Sequence, residues 1–147
     1  MNTKMPDRGP FPTHFRFTYG CWEESQQLEW QDGKLVYRPN FWSAGDQVFP
    51  VTTTLEDWME FWAAADSANL WRWQEEYMNP LVLDGLQWSL EISYQGLLIN
   101  CGGSNAVPGW QDGPEFPENC EFGRFLEAVK ALSKGKFQWA PESAEND

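Results

Sequence analysis

The segment from Leu86 to Tyr94 has the most regular pattern in the sequence and constrains the fold more than any other feature. Apolar side chains stand at positions 86, 88, 90, 92 and 94, and polar side chains stand at the four positions between them. Successive side chains of a strand point to opposite faces of a sheet, so this pattern predicts a half-buried strand with Trp88 on its core face. The turn sequences Asp84-Gly85 and Gln95-Gly96 bracket the strand. Leu97–Cys101 is therefore predicted to form the second strand of a hairpin.

Three segments before residue 40 predict an antiparallel meander. Phe15, Phe17 and Tyr19 share one face of a first strand. Asp32-Gly33 separates two further segments and indicates a type I′ hairpin turn, because both central residues of that turn need positive φ. Pro39–Pro50 is expected to be a loop.

Two segments have the spacing of amphipathic helices. Residues 54–65 begin with Thr54, which can cap the free amides of a first turn, while Asp57 approximates the reciprocal acid of a capping box. Residues 118–134 carry an apolar stripe, and Gly135 is suited to end that helix.

Two shorter stretches are less regular. Leu70–Glu75 fits a short strand or a helix, and the alternation of Trp71 and Trp73 favours the strand. Gly102–Pro108 is predicted to be a compact loop, because its glycines and Asn105 can adopt backbone conformations that are closed to larger residues.

These elements predict a single α+β domain over residues 13–140. An antiparallel sheet of about five or six strands should pack against the two helices. Residues 1–12 contain three prolines and are expected to be an irregular lead-in. Residues 141–147 are expected to be a disordered acidic tail.

The charge of the chain excludes several classes of partner. Its 22 acidic and ten basic side chains give a formal net charge of -12 at 147 residues. This charge repels phosphate backbones and anionic lipid surfaces, so neither nucleic acid nor a membrane is expected as a partner. A solubilising role and a basic protein partner both fit it. No apolar run approaches the roughly 20 residues of a membrane span and the first ten residues lack a signal core, so a cytoplasmic protein is expected.

Histidine and cysteine usage argues against a metal site. His14 is the single histidine, and the three cysteines Cys21, Cys101 and Cys120 form no Cys-x-x-Cys motif. Each cysteine fits a packed hydrophobe better than a nucleophile, although Cys101, beside Gly102-Gly103, is the first to test. We expect no cofactor, no metal ion and no assignable catalytic residue.

Carboxylates near tryptophan raise the possibility of carbohydrate binding or glycoside hydrolysis. The candidates are Asp84, Glu91, Asp112 and Glu115. A turn explains Asp84, the outer side of a strand explains Glu91, and an exposed loop explains the other two. Small-ligand binding or carboxylate-based hydrolysis is therefore an alternative and not the leading hypothesis.

The ten tryptophans divide into core and surface candidates. Trp58, Trp62 and Trp88 fall on core-facing stripes. Large exposed rings contribute disproportionately to binding at interfaces, so tryptophans in loops or ambiguous elements are candidates for partner contact. The predicted partner-binding residues are Trp71, Trp73, Trp110, Glu91, Asp112 and Glu115.

Motifs within residues 70–132 resemble a family of small bacterial proteins of uncharacterised function. They are Trp71-x-Trp73-x-x-x-Tyr77, Asp84-Gly85-x-x-Trp88-x-Leu90-x-Ile92 and Gly103-Ser104-Asn105-Ala106-x-Pro108. The resemblance implies a compact α+β domain and transfers no activity. In size and charge the chain is also similar to immunity proteins of bacterial toxin systems.

We expect a non-enzymatic acidic domain that engages a basic protein partner through exposed tryptophan and acidic side chains, as an inhibitor or an immunity-type factor. A small-ligand protein and a structural or accessory domain are the alternatives. The binding surface should lie on the polar face of the 86–94 strand or in the loops that follow it, because the other face is committed to the core.

Overall fold

A computed structural model describes residues 10–20, 25–39, 48–79, 86–110 and 119–139. The predictions made for Asp84, Asp112, Glu115 and the 141–147 tail lie outside these residues. Seven strands and two α-helices are described. They are β1 (His14–Gly20), β2 (Gln26–Gln31), β3 (Lys34–Arg38), β4 (Phe49–Val51), α1 (Leu55–Ser67), β5 (Glu76–Met78), β6 (Gln87–Tyr94), β7 (Leu97–Ser104) and α2 (Glu121–Leu132).

All seven strands belong to one sheet, in the order β4-β3-β2-β1-β6-β7-β5. Neighbouring strands are antiparallel except β5 and β7, which pair in parallel. The single α+β domain is confirmed. The expectation of a purely antiparallel sheet of five or six strands is wrong, because the sheet is mixed and has seven strands. β5 precedes the β6–β7 hairpin in the chain but lies beyond it in the sheet, beside β7 and parallel to it.

Both predicted hairpins are present. Asp32 and Gly33 have φ of 52° and 81° between β2 and β3, and Gln95 and Gly96 have φ of 51° and 84° between β6 and β7. Positive φ at both central residues is the type I′ geometry, whose twist matches that of the flanking strands. These turns fix the register, which pairs Tyr94 with Leu97.

The predicted faces of β6 are confirmed. Trp88, Leu90 and Ile92 are buried, whereas Gln87 and Ser89 are exposed. A one-residue shift of register would exchange these two faces, so burial of one face fixes the pairing.

The two helices cover one face of the sheet. α1 begins at the predicted capping box, in which Thr54 and Asp57 bond each other's backbone amides. α2 begins at Glu121, slightly later than expected, and Gly135 follows its end with φ 84°. Phe125 of α2 lies in edge contact with Phe17 of β1, their ring centroids 5.3 Å apart. Neither helix in the described ranges has the length and apolar character that a membrane crossing needs.

Three local predictions are wrong. Leu70–Arg72 forms a short 3-10 helix, not a strand. β4 begins at Phe49, within the stretch predicted as a loop over residues 39–50, and ends at Val51. The predicted loop 102–108 begins later, because Gly102–Ser104 continue β7 and the chain turns only at Asn105, with φ 59°.

Candidate functional site

The candidate site is the part of the sheet face opposite the helices that β1, β6, β7 and β5 form, because its side chains are mostly polar and no described element covers it. Ser89, Glu91 and Ser93 of β6 point to it, as predicted. The register places Arg16 of β1 beside Glu91 and Gly102 of β7 beside Ser89. We call this surface the open face.

A charged cluster lies at the centre of the open face. Arg16 Nη2 donates to both carboxylate oxygens of Glu91, at 3.1 and 2.9 Å, and His14 Nε2 lies 2.9 Å from Glu91 Oε1. The hydrogen bond from Arg16, followed by that from His14, lowers the pKa of Glu91, and the same bond with Glu91 raises the pKa of Arg16. The Glu91 carboxylate is therefore neutralised from within the protein.

A concavity of about 640 Å³ lies at one side of the open face, between β6, β7 and β5. Gln87 Nε2 donates to Ser104 Oγ across it, at 2.9 Å. The described residues that line it include no Lys, Arg or His. Its polar and acidic walls come from Glu75, Glu76, Gln87, Asn100 and Ser104, and Met78 adds an apolar side chain that is 55% exposed.

Two glycines of β7 shape this concavity. A Cβ on Gly102 would lie 2.8 Å from the carbonyl oxygen of Trp88, so the floor carries no side chain there. A Cβ on Gly103 would lie 2.5 Å from Trp88 Nε1. The indole passes over Gly103, its cross-strand partner, and donates to the carbonyl of Ala106 at 2.9 Å. Trp88 thus occupies the space that a side chain on β7 would need.

The structure separates the predicted partner-binding residues Trp71 and Trp73. Trp71 is half-buried, stacks on Tyr94 and Trp62, and donates its indole N–H to Asp66 at 2.7 Å. Trp73 is buried in the core, and its indole donates to the carbonyl of Ala68 at 3.1 Å. Of these two tryptophans, only Trp71 has part of its ring exposed.

Trp110 follows a tight turn beside the start of α2. Its backbone exchanges two hydrogen bonds with Val107, and Gly109 has φ 84°. Its ring is half-buried, and its indole nitrogen is buried without a hydrogen-bond partner among the described residues. Trp110 is not among the residues that line the concavity, and Asp112 and Glu115, expected to act with it, fall outside the described ranges.

Burial disfavours the thiolate form of both described cysteines. Burial raises the pKa of the Cys101 thiol to about 12, so the thiolate is scarce at neutral pH. Burial also raises the pKa of Cys120, the other described cysteine. The described ranges contain no group of three His, Cys, Asp or Glu side chains placed to hold a metal ion.

Sequence reasoning did not identify Glu75, Glu76 and Met78. All three lie in or beside β5, whose position at the end of the sheet is set by its pairing with Gly102–Ser104. Two consecutive acids, Glu75 and Glu76, can be recognised in the sequence, but their spacing does not indicate which surface of the fold they face.

No family model matches the chain, and a search of curated proteins finds no match.

Proposed function

We propose that this protein is a non-enzymatic acidic binding domain whose open face receives a basic segment of a protein partner. The observation that carries the proposal is the composition of the concavity. Glu75 and Glu76 bring two carboxylates to a surface that has no described cationic side chain, next to the exposed Met78.

The two acids differ in their surroundings from two other carboxylates of the fold. Glu91 is paired with Arg16 and Asp57 with Lys134. In the described part of the chain Glu75 and Glu76 form no ion pair, and both line the concavity. A Lys or Arg side chain from a partner could pair with either carboxylate, which makes a basic ligand favourable.

An inhibitor or immunity-type role is the specific form of this proposal. Its support is the chain's small size and net charge of -12, which would speed association with a basic target. The half-buried Trp71 supplies a rigid ring of the kind that interfaces use. A toxin gene adjacent in the native genome would support this role, and its absence would leave a general binding domain.

The proposal is tested with a partner captured from the native host on the immobilised protein and then purified. Binding constants are measured by calorimetry at several NaCl concentrations for the wild type and for Glu75→Gln/Glu76→Gln. We expect the double variant to bind about fivefold to tenfold more weakly and to depend less on salt. Glu60→Gln/Glu127→Gln, which removes two exposed charges from the helices, is the matched control. Equal affinity of the wild type and the Glu75/Glu76 variant would contradict the proposal.

Small-ligand binding is the second candidate, and the size of the concavity favours it, because pockets of several hundred Å³ suit small molecules. A carbohydrate remains the ligand class proposed. A panel of glycans and metabolites titrated against tryptophan fluorescence tests it. A saturable response that Asn100→Ala abolishes would favour this candidate over a protein partner.

A further inference from the structure

We propose that the partner's basic segment binds as an extended strand along the free edge of β7, at Leu97–Asn100. This inference rests on the proposed function and specifies its geometry. It adds an eighth strand to the sheet, collinear with β5.

Among the residues that the structure describes, the first part of β7 has no neighbour on its outer side. β5 pairs only with Gly102–Ser104, so Leu97–Cys101 pair on one side, with β6. Five unpaired residues are about 17 Å of strand, which is the length of an ordinary sheet strand.

The backbone groups at this edge point towards the open position. Gly102 N donates to the Glu75 carbonyl, and the Ser104 carbonyl accepts from Asn79, so both residues direct their groups away from β6. Backbone direction alternates along an antiparallel strand, so Leu98 and Asn100 point the same way. In the described part of the chain neither of them has a hydrogen-bond partner on this side.

The chain before β5 does not fill the position. Gln74 N donates to the Tyr77 hydroxyl, at 2.8 Å, and the Tyr77 ring lies on the core side of the sheet. Trp73, one residue earlier, is buried against Phe125 of α2. The backbone therefore leaves the plane of the sheet at Glu75, on the helix side, and does not run beside Asn100 and Leu98.

The β7 edge lacks the features with which proteins block strand addition. Leu97–Ser104 contains no proline and no charged residue, whereas β4, at the opposite edge, is three residues long and contains Pro50. Leu98 is 75% exposed and Leu97 is 44% exposed, on opposite faces of the strand. Both faces of an added strand would therefore meet apolar surface.

The charge of the side chains around the β7 edge determines which sequence an added strand can have. On the open face, side chains of the added strand would lie near Asn100, Glu76 and Leu98. The concavity beside them contains acidic side chains and no described Lys, Arg or His. On the helix face they would meet Leu97, whose cross-strand partner Tyr94 is stacked on Trp71. A segment with Lys or Arg on one face and apolar residues on the other matches both faces. A second copy of this chain would bring another charge of -12 to the edge and is disfavoured.

The probe for the test is an acetylated and amidated seven-residue peptide of alternating lysine and valine. Its affinity is compared with those of two derivatives, one N-methylated at every valine amide and one at every lysine amide. Only one alternating set of amides can face the β7 edge, so one derivative should lose at least tenfold in affinity and the other much less. Amide exchange at Leu98 and Asn100, followed by NMR, should slow at least tenfold when the peptide binds.

Protein variants provide a second measurement. Asn100→Pro removes the outward N–H without removing a bond to β6, and Leu98→Lys places a charge on the edge. Each should weaken peptide binding at least fivefold. Leu55→Lys, which makes the same charge change at an exposed leucine of α1, is the matched control and should weaken it less than twofold. If Asn100→Pro unfolds the protein, Leu98→Lys and the methylated peptides still test strand addition.

The outcomes separate this inference from the proposed function. Salt-dependent peptide binding that neither methylated set weakens, with unprotected Leu98 and Asn100 amides, would overturn strand addition and leave the acidic surface in place. No peptide binding up to about 1 mM would also overturn strand addition, while the captured partner tests the proposed function independently. A dimer that Leu98→Lys converts to monomer, measured by ultracentrifugation, would assign the edge to a second copy and overturn the inference.

Discussion

At the scale of single residues, Trp88 requires a glycine at position 103 of the neighbouring strand β7. Its ring lies over Gly103 and its N–H bonds the Ala106 carbonyl, so a buried polar group is satisfied while the ring fills the place of a β7 side chain. Sequence reasoning placed Trp88 in the core but interpreted Gly103 as a loop residue. Glycine is unfavourable in isolated strands, and here the packing of a ring from the next strand outweighs that preference.

Gly103→Ala should destabilise the protein by about 1–3 kcal/mol, because its Cβ would lie 2.7 Å from the Ala106 carbonyl and 2.8 Å from that of Tyr77. Urea unfolding followed by fluorescence measures the change. Gly33→Ala is the control, since its Cβ would meet nothing within 4 Å and only the cost of its positive φ, about 1 kcal/mol, remains. Equal losses in the two variants would show that crowding around Trp88 is not the cause.

Some residues of the site could not be predicted, because their contacts depend on strands that are distant in the chain. The pairing of Glu91 with Arg16 depends on the register of two strands that are 75 residues apart in the chain. Glu91 could be placed on the polar face from its spacing, but its neutralisation could not be inferred from it. That Leu98 has no outer neighbour among the described strands is equally a property of strand order, which no local pattern encodes.

At the scale of elements, prediction succeeded where local signals agree with the fold. The β6 alternation, the two hairpin turns and the Thr54/Asp57 capping box each depend on a few neighbouring residues. β4 and β5 were missed because three-residue strands have almost no period, and Pro50 argued against a strand in β4. Both are edge strands, which tolerate such sequences.

The carboxylate of Asp57 connects the start of α1 with Lys134, which follows α2. Asp57 accepts from the Thr54 amide at 2.9 Å and from Lys134 Nζ at 2.7 Å, and the bond from Lys134, followed by that from Thr54, lowers its pKa below the ordinary 3.8. A lowered folded-state pKa stabilises the fold above the unfolded value, and this stability is lost as the pH falls through the folded value.

Asp57→Asn should therefore lower the free energy of unfolding by about 0.5–1.5 kcal/mol at pH 7 and by progressively less as the pH falls below about 4. Thermal unfolding across this pH range measures the difference. Glu60→Gln, at an exposed position of the same helix, should show a smaller difference. A constant difference between wild type and Asp57→Asn down to about pH 2 would contradict the ionic origin of the effect.

At the scale of the whole molecule, the negative charge is unevenly distributed along the chain. Eleven of the 22 acidic residues but only two of the ten basic ones lie in the segments outside the described ranges. The described residues are therefore closer to electrical balance than the net charge of -12 suggests. The acidic character of the concavity is thus a local property of Glu75 and Glu76.

Self-repulsion should make stability depend on ionic strength. Raising NaCl from about 10 to about 150 mM should increase the free energy of unfolding by on the order of 1 kcal/mol, because the screening length falls from about 30 to about 8 Å. Chemical denaturation with urea, which is uncharged, measures the change. A decrease with salt would mean that attractive pairs such as Arg16 with Glu91 outweigh the net repulsion.

The exposed edge of β7 also affects how readily copies of the protein aggregate. An exposed apolar strand edge invites stacking of copies, and repulsion between chains of net charge -12 would oppose it. That repulsion vanishes near the isoelectric point of about 4.4. Concentrated protein held at this pH should therefore form aggregates that bind a cross-β dye, and Leu98→Lys should suppress them more than Leu55→Lys does, as followed by light scattering. The net negative charge of the chain would then prevent aggregation through this edge and leave it available for a partner.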